Sequence, residues 1–193
     1  MPITTDTASP TLPKPAPKGA PPPGWGDDEL TKFLQAARDN QNATFFLKRE
    51  ATGKLIAIDA EFGKVSKGWL NPPSEILAML FLRCHAAFRT AAGLAMSGQA
   101  VEAFVQCRAM LENAAYATHI HRNPALARIW LDRHQSDVDT KASRKEFRHE
   151  DVVASVTAAN KHAGGRFEEM YQKMIDLARI IHGGVDFLEV SGD

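Results

Sequence analysis

The chain has 193 residues, 44% of them hydrophobic, and its 23 Lys and Arg residues are balanced by 23 Asp and Glu residues. This balance disfavours a protein that binds nucleic acid mainly by neutralising phosphates, and it also disfavours a polybasic membrane anchor. Because alanine has the highest helix propensity, the 29 alanines favour an all-α protein, which we expect to contain one folded domain.

The N-terminal segment is rich in proline, since eight of the 11 prolines fall within residues 1–23. Proline lacks a backbone donor and such a segment buries no core, so we predict a disordered tail over residues 1–26. A proline-rich ligand for an SH3-like groove is a less favoured alternative. The segment contains no continuous apolar stretch of the kind found in secretory signals.

Apolar runs and cysteines bear on where the protein resides. The longest uninterrupted apolar run, Ile76 to Leu82, is much shorter than the roughly 20 residues that cross a bilayer, so we expect no membrane contact. Cys84 and Cys107 are the two cysteines, and both lie in helical, largely apolar segments. This pattern is typical of reduced thiols in a cytoplasmic protein.

Residues 27–184 are predicted to form an antiparallel bundle of about six helices, followed by a C-terminal strap or tail over residues 185–193. Asp27 or Asp28 can cap the first helix. Apolar residues then recur at three- and four-residue steps, the spacing of one helical face. We expect Gly53 to end this first helix.

The segment 45–58 allows two interpretations. Apolar residues from its second half to Trp69 recur at three- and four-residue steps, which predicts a second helix. The alternation of Ile56, Ile58 and Ala60 also permits a β-hairpin around the Ala-Thr-Gly-Lys sequence. We favour the helix and keep the hairpin as the alternative.

Two long helices are predicted in the middle of the chain. The Asn-Pro-Pro sequence at 71–73 is a sharp break, and proline is well suited to the start of a helix, so a helix follows over 74–96. A short Ser-Gly turn ends it, and the next helix covers 99–121. Because the turn is so short, we expect the two helices to be antiparallel neighbours.

Three signals divide the C-terminal part of the chain. Asn123, followed by a proline, predicts the start of a helix that fades near Asp139. Ser143 with Glu146 three residues later has the pattern of a capping box at the start of another helix. The glycines at 164–165 are expected to separate that helix from a last one.

One face of the predicted helix 99–121 is largely apolar and is formed by Val101, Phe104, Val105, Leu111 and Ala115. Arg108, Glu112 and His119 fall in the same sector. Charges on an apolar face are costly to bury unless they pair, so we predict a buried Arg108–Glu112 ion pair, extended by His119 or another histidine.

This pair has three possible roles. A polar contact that fixes helix register is the favoured one, and the alternatives are a ligand or acid–base site and a pair exposed at a rim. If the pair is buried, Glu112→Ala should cost about 3–5 kcal/mol of stability. An exposed pair should cost less than about 1 kcal/mol.

The stretch from Leu80 to Leu131 resembles bacterial helical proteins of unknown function. The resemblance rests on Arg83 and on the sequences Ala-Gly-Leu-Ala-Met-Ser-Gly-Gln-Ala, Cys-Arg-Ala-Met-Leu-Glu and Ala-Arg-Ile-Trp-Leu. Those proteins place an Arg-x-x-x-Glu at the centre of a helical bundle. The resemblance implies that Tyr171 and His182 fill the places of a Tyr and His that come later in the family. It also implies more helix after that histidine, so a chain ending at Asp193 is expected to be short.

A second, more distant resemblance is to HEPN nucleases, helical bundles whose motif is Arg, four to six residues, then His. Arg144 and His149 satisfy this spacing, as do Arg128 and His134. In such a site the Arg steadies the phosphate while the His moves the proton of the attacking 2′-hydroxyl. The residue after Arg144 is Lys145, where the family usually has a small polar residue.

Metal and cofactor motifs are sparse in the sequence. One Glu-x-x-His motif occurs, ending at His149, whereas a di-iron bundle needs two. His119 and His121 lie about 200° apart on a helix and cannot share a metal. There is no glycine-rich phosphate loop and no Gly-x-Ser-x-Gly turn. We therefore expect neither a metal nor a cofactor.

The leading hypothesis is a bacterial, cytoplasmic helical-bundle module without catalysis, which binds a second copy of itself or another protein. The first alternative is a metal-independent HEPN-like ribonuclease of a toxin or phage-defence system that uses Arg144 and His149, and RNA is expected as a partner only in that case. The second alternative is a small-ligand or metal site around Glu112, His119 and His182.

Overall fold

A computed structural model describes residues 21–69 and 74–185, with side chains described as far as residue 177. Within these residues the protein is all-α, with eight helices and no strand. The helices are α1 (Glu29–Leu47), α2 (Arg49–Lys67), α3 (Glu75–Met96), α4 (Ala100–Arg122), α5 (Leu126–Asp132), α6 (Asp137–Glu146), α7 (His149–Ala159) and α8 (Lys161–Val185).

The all-α prediction is confirmed, although eight helices replace the expected six or so. Most of the predicted N-terminal tail, and the strap after residue 185, lie outside the described residues. Residues 45–58 are helical except at Lys48, so the hairpin alternative is wrong. The first helix ends at Leu47 and not at Gly53. Gly53 lies exposed inside α2, with no atom near the position that a side chain would take.

The antiparallel pair α3 and α4 forms the centre of the fold, as predicted. Gly98 has a φ of 88°, a left-handed conformation that glycine adopts without strain. The Gln99 amide donates to the Leu94 carbonyl at 2.9 Å, and the Gly98 amide donates to the Ala95 carbonyl at 3.2 Å. These bonds end α3 in a Schellman motif and turn the chain directly into α4.

Helix α1 attaches to the carboxyl end of α3 through polar side chains. The Thr44 hydroxyl donates to the Met96 carbonyl at 2.8 Å, and Gln41 donates to the Gly93 carbonyl at 3.1 Å. Asn40 donates to the Ser97 carbonyl at 3.3 Å. The last carbonyls of a helix have no partner within it, so α1 satisfies the Met96 and Ser97 carbonyls, while the Gly93 carbonyl also accepts from the Ser97 amide.

Helix α2 packs on α3 through aromatic rings. The Phe62 ring stacks on His85, with 4.6 Å between ring centroids, and lies 5.3 Å from Phe81. At the end of the segment, Trp69 contacts Phe81 at 4.6 Å. In spite of these contacts, Thr52 is the one residue of α2 that is fully buried, and α1 has no buried residue.

Two apolar clusters on the other side of the hairpin form the main core. One consists of Ile76, Leu80, Ile120 and Leu126, and the other consists of Ala115, Val152 and Phe167. Tyr116 and Phe147 pack against both clusters. The core therefore joins α3 and α4 to α5, α7 and α8.

Two helix boundaries in this half differ from the sequence prediction. Helix α5 begins at Leu126, after a turn in which the Asn123 carbonyl accepts from the Leu126 amide, and it ends at Asp132. The expected capping box fails because Glu146 ends α6 instead of lying in its first turn. Ser136 caps α6 by accepting from the Asp139 amide at 3.2 Å, so an earlier cap starts this helix.

The glycines at 164–165 lie inside α8, and the break expected there occurs at Asn160. Gly164 packs directly on α7, because a side-chain Cβ at this position would lie 2.7 Å from the Cα and 2.8 Å from the Cβ of Thr157. Gly165 faces open space. Gly164 therefore allows α7 and α8 to approach closely and does not interrupt the helix.

We predict that Gly164→Ala lowers the free energy of unfolding by about 1–3 kcal/mol, because its methyl group cannot fit against Thr157. The matched control is Gly165→Ala, which should raise stability by up to about 1 kcal/mol, since alanine is the better helix former. Urea unfolding followed by circular dichroism measures both values. Equal stabilities for the two variants would contradict close packing at Gly164.

Candidate functional site

The predicted Arg108–Glu112 ion pair forms, but it is not buried. Arg108 Nε lies 2.9 Å from Glu112 Oε1, and the two side chains are 43% and 29% exposed. Helices α7 and α8 cover α4 only from about Arg108 onward, so Val101, Phe104 and Val105 of the supposed inner face are exposed. The hydrogen bond to Glu112 raises the pKa of Arg108, which stays charged.

Tyr171 of α8 completes this polar cluster. Its hydroxyl lies 3.4 Å from both Arg108 Nη2 and Glu112 Oε1, and the Arg108 guanidinium lies 5.4 Å from the centre of its ring. A cation at this distance from an aromatic ring is attracted to the ring face. Tyr171, which the family resemblance singled out, therefore lies beside the ion pair.

His149, the first residue of α7, contacts the same tyrosine from another side. Its ring stacks on Tyr171, with 4.7 Å between ring centroids. Its Nε2 lies 2.8 Å from Glu168 Oε2, and both side chains are about two-fifths exposed. Hydrogen bonds from Gln172 and His149 lower the pKa of Glu168. An ionised carboxylate thus orients an imidazole that solvent can reach.

Glu112, His149 and Tyr171 line a cleft of about 160 Å³ between α4, α7 and α8. The polar residues lining it are Glu112, Tyr116, His149 and Tyr171, and the apolar ones are Ala115, Phe147, Val152 and Phe167. Burial raises the pKa of Tyr116, so its hydroxyl stays protonated. The cleft combines the imidazole of His149, the carboxylate of Glu112 and the hydroxyls of two tyrosines. Such a set of groups is suited to general acid–base chemistry on a small ligand.

His119 does not extend the ion pair, so this half of the prediction is wrong; the other half named a histidine from another helix, and His149 of α7 reaches the cluster through Tyr171. His119 is buried, with Nδ1 2.7 Å from the Ser155 hydroxyl and Nε2 3.0 Å from the Glu146 carbonyl. Both ring nitrogens are thereby occupied in joining α4 to α7 and to the end of α6. The side chain of His182, the other histidine proposed for this site, lies outside the described residues.

Neither of the two arginine–histidine pairs that match the HEPN motif forms a site among the described residues. Arg144 is exposed in the last turn of α6, whereas His149 begins α7 after a break and faces Tyr171. In the second match, Arg128 pairs with Asp132 of its own helix, and His134 is exposed. The HEPN spacing therefore identified one residue that lines the cleft, His149, and did not connect it with Arg108, which contacts Tyr171 of the same cleft.

The structure contains a second polar cluster, between α2 and α3, that the sequence analysis missed. Asp59 Oδ1 lies 2.6 Å from His85 Nε2 and 2.7 Å from Arg89 Nε. Hydrogen bonds from Arg89 first, and then from His85, hold the pKa of Asp59 well below its usual range. The available signal was the spacing of His85 and Arg89, one turn apart on α3. Because the hydrogen bonds of this cluster join α2 to α3, they fit a role in holding α2 in place.

Within the described residues, no three His, Cys, Asp or Glu side chains converge in the manner of metal ligands. The metal version of the ligand-site hypothesis placed its ligands on Glu112 and His119. These two residues have separate partners, Arg108 for the first and Ser155 for the second.

Comparison with known proteins adds nothing to this geometry, since no protein-family model, curated protein or solved structure matches the chain. The resemblances to Arg-x-x-x-Glu bundle proteins and to HEPN nucleases therefore stay predictions. Any proposal about function has to rest on the contacts and exposed surfaces of this molecule.

We predict that Glu112→Ala lowers the free energy of unfolding by about 1–2 kcal/mol, between the values for exposed and buried pairs, because Arg108 is half-exposed and keeps its contact with the Tyr171 ring. The control is Glu169→Ala, which removes the more exposed pair with Lys173 and should have a smaller effect. Urea unfolding measures both. A loss above about 3 kcal/mol at Glu112 would mean that the pair behaves as a buried one.

Proposed function

We propose that this protein is a non-enzymatic helical module of the bacterial cytoplasm that associates with itself. The observation that carries the proposal is the exposed apolar surface of its first two helices. The large apolar residues exposed there are Leu30, Phe33, Leu34, Phe45, Phe46 and Leu47 in α1 and Ile56, Ile58 and Val65 in α2.

This exposure is costly for a folded chain. Fully burying a leucine or phenylalanine side chain stabilises the folded protein by about 1.5–3 kcal/mol relative to leaving that side chain in water. A helix is also marginal in isolation and depends on packing of its apolar face. Because α1 buries no residue and is held by hydrogen bonds to α3, a second protein surface over α1 and α2 would supply the missing burial.

Helix α3 bears on the alternative of a membrane partner. Of the helices described, it is the one whose length and hydropathy suffice for a membrane span, over Glu75–Met96. Seven of its residues are buried in contact with the rest of the bundle, including Leu80, Phe88 and Ala91. A third of the span is buried, and α3 is anchored in the bundle core through Ile76 and Leu80. These contacts favour a protein partner over a lipid one.

We predict that size-exclusion chromatography with light scattering gives a mass of at least two chains of 21.2 kDa each. Leu30→Ser with Phe33→Ser should lower the mean mass, because it removes two of the exposed apolar side chains of α1. The control is Asn42→Ser, an exposed polar position on the same helix. A mass of one chain at every concentration up to about 100 µM, far above the dissociation constants of specific complexes, would contradict self-association.

A second candidate function rests on His149 and Glu168. The carboxylate bonded to Nε2 leaves the other ring nitrogen to accept or donate a proton at the cleft, next to Tyr171. Arg108, on the same tyrosine, supplies the cation that a phosphate needs. These contacts favour a metal-independent ribonuclease that uses Arg108 in place of Arg144.

For this second candidate we predict that the purified protein cleaves mixed RNA in the presence of EDTA and that His149→Ala abolishes cleavage, because the proton carrier is lost. His121→Ala, which alters an exposed histidine of α4, is the control and should leave cleavage unchanged. Gel electrophoresis of the RNA measures both. Equal cleavage by the wild-type chain and His149→Ala, or none by either, would exclude the ribonuclease.

A further inference from the structure

The outer face of α3, opposite its buried face, carries a short apolar surface with a charge at each end. It is lined by Glu75, Ala78, Met79, Leu82, Arg83 and Ala86. The exposed fractions of Met79 and Leu82 are 37% and 54%. Helix α4 covers the other side of α3, so within the described residues this surface faces away from the bundle.

The order of residues on this surface is self-complementary. Along the helix axis, Met79 and Leu82 lie at equal distances on either side of the point between Leu80 and Phe81. Glu75 and Ala86 are likewise placed symmetrically about this point. If a second copy of α3 lies antiparallel across that point, Met79 of each copy faces Leu82 of the other. A contact of this kind is isologous, because the same patch serves both copies and closes the assembly at two.

The charges agree with the same arrangement. Glu75 and Arg83 are eight residues apart, about 12 Å along the helix, so they cannot pair with each other. Neither forms an ion pair with another described residue, although five of the seven charged residues of α2 do. In the antiparallel arrangement, Arg83 lies one helical turn from Glu75 of the second copy, within reach of its side chain. The pair would form twice, once on each side of the apolar centre.

We propose that two copies of this chain pack through α3, antiparallel, with Met79 on Leu82 at the centre and Glu75–Arg83 ion pairs at both edges. The proposal rests on the self-association proposed above, but it places a contact on the outer face of α3, apart from the exposed apolar residues of α1 and α2, and gives that contact a direction and a register. A single helix pair buries less than the roughly 800 Å² per partner of a standard interface, so a dissociation constant in the micromolar range is expected.

Disulfide trapping tests the register. Met79→Cys and Leu82→Cys are made as separate variants with tags of different mass, both carrying Cys107→Ser because that cysteine is half-buried. Cys84 can stay, since burial raises the pKa of its thiol to about 11 and keeps it unreactive. A mixture of the two variants should form the mixed dimer more readily than any same-variant dimer under mild oxidation.

The matched control for trapping is a mixture of Ala86→Cys and Thr90→Cys, which are exposed on the same helix. In the proposed register these positions are about 22 Å apart along the axis, too far for a disulfide. Efficient trapping of this control pair, or none of the Met79–Leu82 pair, would overturn the register.

Charge exchange tests the ion pairs without new cysteines. Glu75→Arg should raise the dissociation constant at least about tenfold, because it places like charges together at both edges. Glu75→Arg with Arg83→Glu should restore it, while circular dichroism shows each variant folded. A wild-type oligomer that neither substitution affects would overturn the α3 interface and leave self-association standing. A monomeric wild-type chain would contradict both.

Discussion

The packing of α3 against α4 is the constraint on which the rest of the structure depends. Small buried residues on both helices, among them Ala87, Ala91 and Ala103, let the two backbones approach, and the left-handed Gly98 allows the chain to reverse between them. One end of this hairpin presents open carbonyls that hydrogen-bond to α1. The other end presents Ile76, Leu80 and Ile120, on which α5 and the C-terminal helices build the core.

This arrangement explains why the polar pair lies at an edge instead of at a centre. Helices α7 and α8 cross only the later turns of α4, where Ala115 and His119 are buried. Arg108 and Glu112 lie where this coverage begins, so one side of the pair meets Tyr171 and the other meets solvent. A charged pair at such a boundary keeps part of its hydration, which makes it less costly than a buried pair and accessible to a ligand.

Local signals in the sequence predict where helices begin and end, but they do not predict which helix covers a given face of another. The boundaries of α3 and α4 follow from Gly98 and the proline break, because both act on the backbone itself. Gly53 and Gly164 misled because a helical glycine costs only about 1 kcal/mol, which packing outweighs. Arg108 was assigned to an inner face by periodicity, which shows that residues share a face but not which neighbour covers it. The Asp59 cluster needs the position of α2 on α3, and no local pattern supplies that.

The proposed α3 contact and the candidate cleft lie on opposite sides of the same hairpin. The surface with Met79 and Leu82 lies on the outer side of α3, whereas the cleft with His149 and Tyr171 lies beyond α4. A dimer through α3 would therefore leave the cleft open, and a ligand in the cleft would touch no residue of the dimer contact. Because the α3–α4 packing separates the two surfaces, the proposed self-association and the proposed acid–base chemistry can be tested independently, and the result for one does not decide the other.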